Sequence, residues 1–157
     1  MSVDPADLPV IGWREWVDLP ALGGIAVKAK IDTGARTSAL HAVGLESFRR
    51  GGAPWVRFSV HPHQRDTERS VLVEAAVIDE RAIRNSGGSA EDRPVISTRA
   101  AIGAVALDIE VTLTNRALMG FRMLLGREAL RGNFLVDPGR SFLVGGKRKR
   151  AKSGRDG

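Results

Sequence analysis

The sequence contains no cysteine among its 157 residues, which excludes disulfides and thiolate metal sites. It also lacks any stretch close to the roughly 18 consecutive apolar residues that a membrane-spanning helix requires. The first residues, Met1 to Asp7, show neither the basic start nor the apolar run of a secretion signal. We therefore expect a cytoplasmic protein. Its length is that of one ordinary domain, and a hydrophobic content of 43% is sufficient for a buried core.

Motifs for metal or nucleotide chemistry are equally absent. The sequence has no Gly-rich loop ending in Lys-Ser or Lys-Thr, which would bind phosphates, and no His-Glu-x-x-His, which would bind zinc. Its three histidines are His41, His61 and His63. His61 and His63 could chelate a metal weakly, but two histidines on a β-run are more often ordinary surface residues. We expect neither a metal nor another cofactor.

The net charge of +6 is concentrated at one end of the chain. Residues 145–157 carry six basic residues and one acid, so the preceding 144 residues are almost neutral. This segment has no large apolar residue and is predicted to be a disordered basic tail. Two roles remain open for it: a solubilising end, or a contact with RNA or a ribosome.

Most of the chain alternates short β-like runs with turn residues. The clearest run is Ile25–Ile31, in which apolar and polar residues alternate with a period of two, as in a half-buried strand. Further strands are predicted at Trp55–Val60, Val71–Ile78, Pro94–Thr98, Ala104–Leu113, Phe121–Leu125, Phe134–Val136 and Ser141–Val144. One short helix is predicted, at Arg127–Arg131 before Gly132. The pattern predicts an all-β fold, with a closed or nearly closed barrel over residues 11–144 after a leader of residues 1–10.

The segment most indicative of chemistry is Ile31-Asp32-Thr33-Gly34-Ala35, in which an apolar strand runs directly into an acid, a hydroxyl residue and a glycine. We expect the strand to carry the Asp32 carboxylate to the rim of the barrel. Gly34 lacks a Cβ, which would allow a sharp turn and the close approach of a partner. The Thr33 hydroxyl could hydrogen-bond across a symmetric neighbour. Asp32, Thr33 and Gly34 are therefore the candidate catalytic residues.

A second apolar segment, Leu124-Leu125-Gly126-Arg127, follows about ninety residues later and leads into the predicted helix. Together with the acid loop it resembles the half-barrel of retropepsins. In that fold the late glycine packs beneath the acid loop. Residues 84–90 lie between the two segments, where a retropepsin has its flap, a glycine-tipped hairpin that closes over bound peptide. The resemblance implies that Gly87 and Gly88 contact substrate.

A closer resemblance extends from Ile11 to about Val144. Its motifs are Gly12-Trp13-Arg14-Glu15, residues 29–42, Arg93-Pro94-Val95-Ile96, residues 112–116 and Val136-Asp137-Pro138. They resemble a bacterial family of retropepsin-like aspartic peptidases often labelled ATP-dependent zinc proteases. Some members sit beside ligases that add glutamates to a small-subunit ribosomal protein, and one branch has been assigned the trimming of those tails. The resemblance implies an aspartic peptidase with acidic peptides as its leading substrate class.

Asp-Thr-Gly occurs only once, whereas aspartic peptidase chemistry requires two carboxyl groups that share a proton. One acts as base on a water molecule while the other, protonated, polarises the scissile carbonyl. The nearest second candidate, Asp137-Pro138-Gly139, lacks the hydroxyl residue and is predicted to lie in a turn. A homodimer with Asp32 of each chain at its two-fold axis is the economical solution. The alternative, in which Asp32 works with another group of its own chain, remains open.

Basic residues are numerous around the acid: Lys28, Lys30, Arg36, Arg116 and Arg127. Lys28, Lys30 and Asp32 share one strand face. Such cations either form a solvated face or hold substrate carboxylates, for which arginine is best suited. Arg127 has a structural alternative, a salt bridge in a dimer, and His41 has packing as its alternative. The predicted substrate-binding residues are Lys30, Arg36, Ser38, His41, Gly87, Gly88 and Arg116.

A function of a different class is also open: a non-catalytic peptide- or ribosome-binding module that keeps the barrel and uses the basic tail to contact RNA. The complete Asp32-Thr33-Gly34 motif favours the peptidase, since a binding module needs no carboxylate in that loop.

Overall fold

The computed structural model describes residues 5–62, 70–84 and 87–144. After a 3-10 turn at Pro5–Asp7, the strands of this part are β1 (Val10–Gly12), β2 (Arg14–Leu19), β3 (Ile25–Asp32), β4 (Ser38–His41), β5 (Val43–Arg50), β6 (Ala53–Val60), β7 (Val71–Ala76), β8 (Asp79–Arg84), β9 (Ala90–Ile102), β10 (Val105–Thr114), β11 (Met123–Gly126) and β12 (Leu135–Asp137). A short helix, α1 (Arg127–Leu130), follows β11. Within the described ranges, no helix has the length and apolar character needed to cross a membrane.

Six strands close into a barrel in the order β2-β3-β11-β4-β10-β9, and β9 pairs in turn with β2. β3 pairs in parallel with β11, and β4 in parallel with β10, whereas the other neighbours are antiparallel. The prediction of an all-β fold with a closed barrel and one short helix is confirmed. Closure of the ring pairs each of the six strands on both sides, so that none of them presents a free edge.

Three elements extend this barrel. β8 pairs with β9 as an antiparallel hairpin, in which Asp79 lies opposite Val95 and Arg84 opposite Ala90. β5, β6 and β7 form a separate three-stranded sheet, and β1 pairs in parallel with β12. Residues of the hairpin line the same groove as Asp32.

The core is filled by strands that alternate as the sequence pattern predicts. In β3 the odd-numbered residues from Ile25 to Ile31 are buried, while the even-numbered ones, including Lys30 and Asp32, are partly exposed. Alternate residues of β6, among them the fully buried Phe58, belong to the same core. Burying one such large apolar side chain contributes about 1.5–3 kcal/mol relative to leaving it exposed. The half-buried strand predicted at Ile25–Ile31 is confirmed.

The structure departs from the predicted elements where hydrophobic alternation is weak. Residues 141–144, predicted to be a strand, have no regular structure, and Val10, assigned to the leader, already belongs to β1. The sequence pattern does not reveal β1, β2, β4, β5 or β8, because these strands are short or rich in charged residues. The predicted basic tail, residues 145–157, lies outside the described residues, and both roles left open for it, a solubilising end or a contact with RNA or a ribosome, stay untested.

Glu15 in β2 is a fully buried carboxylate that fastens the irregular segment 141–144 to the barrel. Its Oε2 accepts hydrogen bonds from the backbone N–H groups of Gly12 at 2.7 Å and Leu143 at 2.8 Å. Its Oε1 accepts one from the N–H of Val144 at 3.4 Å. Burial of a carboxylate is tolerated only when such donors replace water. A side chain, rather than strand pairing, therefore fixes the path of this segment.

Replacement of Glu15 by Gln is expected to lower the free energy of unfolding by about 2–3 kcal/mol. The amide has nearly the same shape, but its NH2 group faces backbone N–H donors and leaves at least one of them unpaired. Urea unfolding followed by circular dichroism measures the difference. Glu46→Gln, at an exposed position of β5, is the control and should change stability by less than about 0.5 kcal/mol. Equal stability of the two variants would contradict the role assigned to Glu15.

Candidate active site

Asp32 is the last residue of β3 and is partly exposed. Its Oδ1 accepts a hydrogen bond from the backbone N–H of Gly34 at 3.1 Å, and its carbonyl oxygen accepts one from the N–H of Ala35 at 3.3 Å. No hydrogen bond from a described residue reaches the second carboxylate oxygen, Oδ2. The loop thus orients the carboxylate and leaves one oxygen available to water or substrate.

Gly126 lies directly beneath this loop. The parallel pairing of β3 with β11 places Gly126 opposite Asp32. A Cβ at position 126 would lie 2.7 Å from the carbonyl carbon of Thr37 and 2.8 Å from its oxygen, closer than van der Waals contact allows. The N–H of Gly126 donates to Ser38 Oγ at 3.0 Å. The expectation that the late glycine packs beneath the acid loop is confirmed.

The start of α1 holds the other side of the loop. The backbone N–H groups of Arg127 and Glu128 donate to the carbonyl oxygens of Ala35 at 2.7 Å and Arg36 at 3.1 Å. The Arg127 side chain donates from Nη1 to the carbonyl oxygen of Thr33 at 3.3 Å. Arg127 therefore has a structural role within its own chain.

Gly34 is expected to allow both a sharp turn of the acid loop and the close approach of a partner. Gly34 does not have a positive φ, and a Cβ there would meet only Asp32 Oδ1, at an ordinary contact distance of 3.4 Å. The turn of a single chain therefore does not demand glycine at this position, and that part of the expectation is wrong. The close approach of a partner stays a prediction.

A groove of about 1580 Å³ runs past Asp32. Its walls come from the acid loop, the β8–β9 hairpin, β10 and the residues that precede β11. The volume exceeds the roughly 300–1,000 Å³ of ordinary small-molecule pockets and suits an extended peptide. Of the three predicted catalytic residues, Asp32 and Gly34 line the groove, whereas Thr33 is exposed beside it.

The glycine-tipped hairpin expected at residues 84–90 is present. Arg84 ends β8 opposite Ala90 of β9, and residues 85 and 86 of its tip lie outside the described part. Gly87 lines the groove. Gly88 has a φ of 89° with open space around the position of a Cβ, so its backbone conformation rather than crowding favours glycine. The hairpin thus forms one wall of the groove.

Five arginines line the groove, and four of them form ion pairs with carboxylates of the chain. The pairs are Arg36–Glu128 at 3.4 Å, Arg81–Asp79 at 2.9 Å, Arg81–Glu110 at 2.6 Å, Arg93–Glu91 at 3.0 Å and Arg116–Glu91 at 3.2 Å. The fifth, Arg84, donates from Nη1 to the carbonyl oxygen of Gly88 at 2.9 Å. The sequence pattern points to Arg36 and Arg116 but misses the other three. Only the strand register of the hairpin, which a single sequence does not fix, brings them to the groove.

Four predicted substrate-binding residues do not line the groove. Gly88 lies at the hairpin tip, and Lys30 is partly exposed on β3. Ser38 is buried, with its hydroxyl used by Gly126. His41 ends β4 with its Nδ1 buried and without a hydrogen bond within the described residues. The positions of Ser38 and His41 indicate packing roles for both.

The environment of His41 disfavours its charged form. Burial lowers the pKa of the imidazole below its ordinary value of 6.5, and the nearby positive charge of Arg122 lowers it further. A backbone hydrogen bond with Asn115 acts in the opposite direction but is outweighed. His41 therefore stays neutral over a wider pH range in the folded than in the unfolded chain.

Residues suited to a metal ion do not converge in the described part of the chain, where no group of three or more His, Asp or Glu residues could hold one. His63, one of the two histidines considered for weak chelation, lies outside those residues.

The model of a protein family described as "RimB-like: Retropepsin-like aspartic endopeptidase RimB" matches residues 10–147. The match spans most of the length of this chain, and the chain therefore belongs to the family. The retropepsin-like resemblance seen in the sequence motifs is thereby confirmed.

Longer proteins contain a similar segment. The chain is 49% identical over 138 residues to a Shewanella pealeana protein and 46% identical over 145 residues to a Desulfotalea psychrophila protein. Each of these is named "Probable alpha-L-glutamate ligase", and neither name refers to a zinc protease. The matches cover 88% and 92% of this chain but only 30% and 31% of those proteins. The chain therefore spans less than a third of the curated relatives it matches.

A crystal structure of a Legionella pneumophila protein of unknown function has the same fold, with a TM-score of 0.71. The two chains are 29% identical, and the match covers 86% of this chain and 97% of the other.

Replacement of Ser38 by Ala is expected to destabilise the fold by about 1–3 kcal/mol, because it leaves the buried N–H of Gly126 without its acceptor. Urea unfolding gives the measurement. Ser47→Ala, at an exposed position of β5, is the control and should be nearly neutral. If both variants unfold at the same urea concentration as the parent, Ser38 does not support the acid loop.

Acidification should destabilise the protein through His41. Its folded-state pKa lies below the unfolded value, so the unfolded chain binds more protons as the pH falls through about 6.5. The contribution of neutral His41 to the free energy of unfolding is present above that pH and is lost below it. Urea unfolding at pH 8, 7, 6 and 5 should therefore give a steeper loss for the parent than for His41→Gln, and parallel pH profiles would contradict this assignment.

Proposed function

We propose that this member of the RimB-like family is an aspartic peptidase that cleaves peptide bonds in acidic, glutamate-rich tails, with Asp32 activating the attacking water. The observation that carries the proposal is the position of Asp32, a carboxylate oriented by its own loop in a groove large enough for a peptide. A binding module would have no need for such a carboxylate.

The second carboxylate has to lie close to Asp32. Three other carboxylates line the groove in the described part of the chain: Asp79 and Glu110, both paired with Arg81, and Glu128, paired with Arg36. The hydrogen bond from Arg81, reinforced by the backbone N–H of Glu80, holds the pKa of Asp79 below its usual value. A bound cation favours the ionised form of a carboxyl group and opposes the shared proton that the chemistry needs. We therefore assign the second carboxylate to Asp32 of another copy, in a two-fold homodimer.

The open space at Gly34 supports this arrangement. Within one chain, a side chain at position 34 would find room. In the proposed dimer, the acid loops of the two copies meet at the axis, and a Cβ at position 34 would then hinder their approach. The homodimer supplies the reason for glycine that the single chain does not.

The proposed reaction is the addition of water to a peptide carbonyl. One Asp32 carboxylate takes a proton from the water, whose oxygen forms a bond to the carbonyl carbon. The other Asp32, protonated, donates its hydrogen to the carbonyl oxygen as negative charge develops there. The tetrahedral intermediate then breaks its C–N bond as the leaving nitrogen takes the proton that the first Asp32 removed from water. The second Asp32 recovers its proton from a hydroxyl of the intermediate, and the products are a carboxylate and an amine.

The proposed substrate class follows from the groove and from the relatives. Five arginines line the groove, and one of them, Arg84, has no carboxylate partner among the described residues. The names of the longer relatives refer to glutamate ligation. A peptidase-family segment within such a protein would meet the glutamate chains that the ligase makes, and those chains are the substrates we propose for the segment.

Asp32→Asn is expected to lower the cleavage of an oligoglutamate-tailed peptide by at least about 100-fold, because the amide can neither take nor share the proton. Mass spectrometry of new peptide termini measures the rate, and sedimentation shows whether the dimer persists. Asp137→Asn is a matched control, since Asp137 Oδ1 accepts from the N–H of Gly139 at 3.0 Å, the same local arrangement as at Asp32, but outside the groove.

The control should cleave as fast as the parent. An Asp32→Asn variant that cleaved at the parent's rate would exclude the aspartic mechanism. Binding of the peptide by the parent without any cleavage would instead favour the non-catalytic peptide-binding module.

A further inference from the structure

We infer that Arg84 is the side chain that recognises the substrate's negative charge, by binding a glutamate carboxylate of the peptide in the groove. This inference rests on the proposed function and deepens it, because it names the residue that selects the acidic substrate class.

The first ground is the pairing of the groove arginines. Arg81 is held by two carboxylates, and Arg93 and Arg116 share Glu91. Arg84 lines the same groove, is exposed, and forms no ion pair with any described residue. Arg84 is thus the one among the five groove arginines that no described carboxylate pairs with.

The second ground is the geometry of Arg84. It is an exposed residue that ends β8 opposite Ala90. One of its five N–H donors is engaged by the carbonyl oxygen of Gly88 at 2.9 Å. This bond restrains the long side chain before substrate arrives, while the remaining donors suit a bidentate carboxylate contact. Less conformational entropy is then lost on binding.

The third ground is the contrast with the two arginines expected from the sequence. Arg116 is already paired through Nε with Glu91, which also accepts a hydrogen bond from Thr114 Oγ1 at 3.2 Å, so a carboxylate of the chain partly offsets its charge before substrate arrives. Arg36 is paired with Glu128 at 3.4 Å, and both side chains are well exposed, so this pair is weak and exchanges more readily. We therefore place Arg36 second to Arg84 and regard Arg116 as part of the groove wall.

The test compares two peptides that differ only in Glu against Gln. In an Asp32→Asn background, which removes cleavage, fluorescence anisotropy gives the Kd of each peptide. Arg84→Gln should reduce the preference for the Glu peptide about tenfold, the amount expected for one charged hydrogen-bonded contact. Arg99→Gln is the matched control, because Arg99 is an exposed, Asp108-paired arginine of β9 outside the groove. It removes the same charge and should keep the preference.

The outcomes separate the inference from the peptidase proposal. An unchanged Glu preference in Arg84→Gln, an equal loss of affinity for both peptides, or an equal effect of Arg99→Gln would each overturn the role of Arg84. Loss of the Glu preference in Arg84→Gln but not in Arg99→Gln supports the role of Arg84. A parent with Asp32 intact that cleaves neither peptide would count against the proposed peptidase function but not against the role of Arg84. The preference of the parent should also weaken with added salt, because Arg84 is exposed.

Discussion

The contact between two backbones at Gly126 and Thr37 is the constraint on which the site depends. A single Cβ at position 126 would occupy the space of the Thr37 carbonyl group and push the acid loop away from β11. The glycine also gives its N–H to Ser38, 88 residues away in sequence, so that the same close approach is held by a hydrogen bond. In the barrel β3 and β11 pair in parallel, with Gly126 opposite Asp32. This pairing fixes the position of the acid loop and so the orientation of the Asp32 carboxylate.

Four of the five groove arginines form ion pairs with carboxylates of the chain, and one, Arg84, does not. Arg81 forms ion pairs with Asp79 on its own strand, β8, and with Glu110 on β10. The two pairs connect the hairpin to the barrel. Glu91 similarly forms ion pairs with both Arg93 and Arg116. These cations are near the groove but are already bound, which makes proximity to Asp32 a poor guide to substrate contact. The bonding partner of each cation is the better guide.

The sequence predicts those features whose physical cause is local. Asp32 follows an alternating strand, and the glycines of the hairpin tip interrupt two strands, so both leave a pattern along the chain. Ser38 and His41 illustrate the limit: β4 buries Ser38 and its two following residues instead of alternating, and no period reveals which way its side chains point. Glu15 and Arg84 are fixed by tertiary contacts and strand register, which the order of residues alone does not specify.

Neutralisation of most groove arginines also fits the chemistry proposed for Asp32. A carboxyl pair that shares a proton is converted to two carboxylates by excess positive charge nearby, and the general acid is then lost. A strongly cationic groove would also bind a polyglutamate chain tightly without favouring the transition state, which lowers KM but does not raise kcat. Internal ion pairs reduce both effects, while Arg84 on the hairpin, which has no ion-pair partner among the described residues, is the arginine we propose to distinguish glutamate from glutamine. On this view, the selectivity for an acidic tail depends on how few of the arginines remain uncompensated.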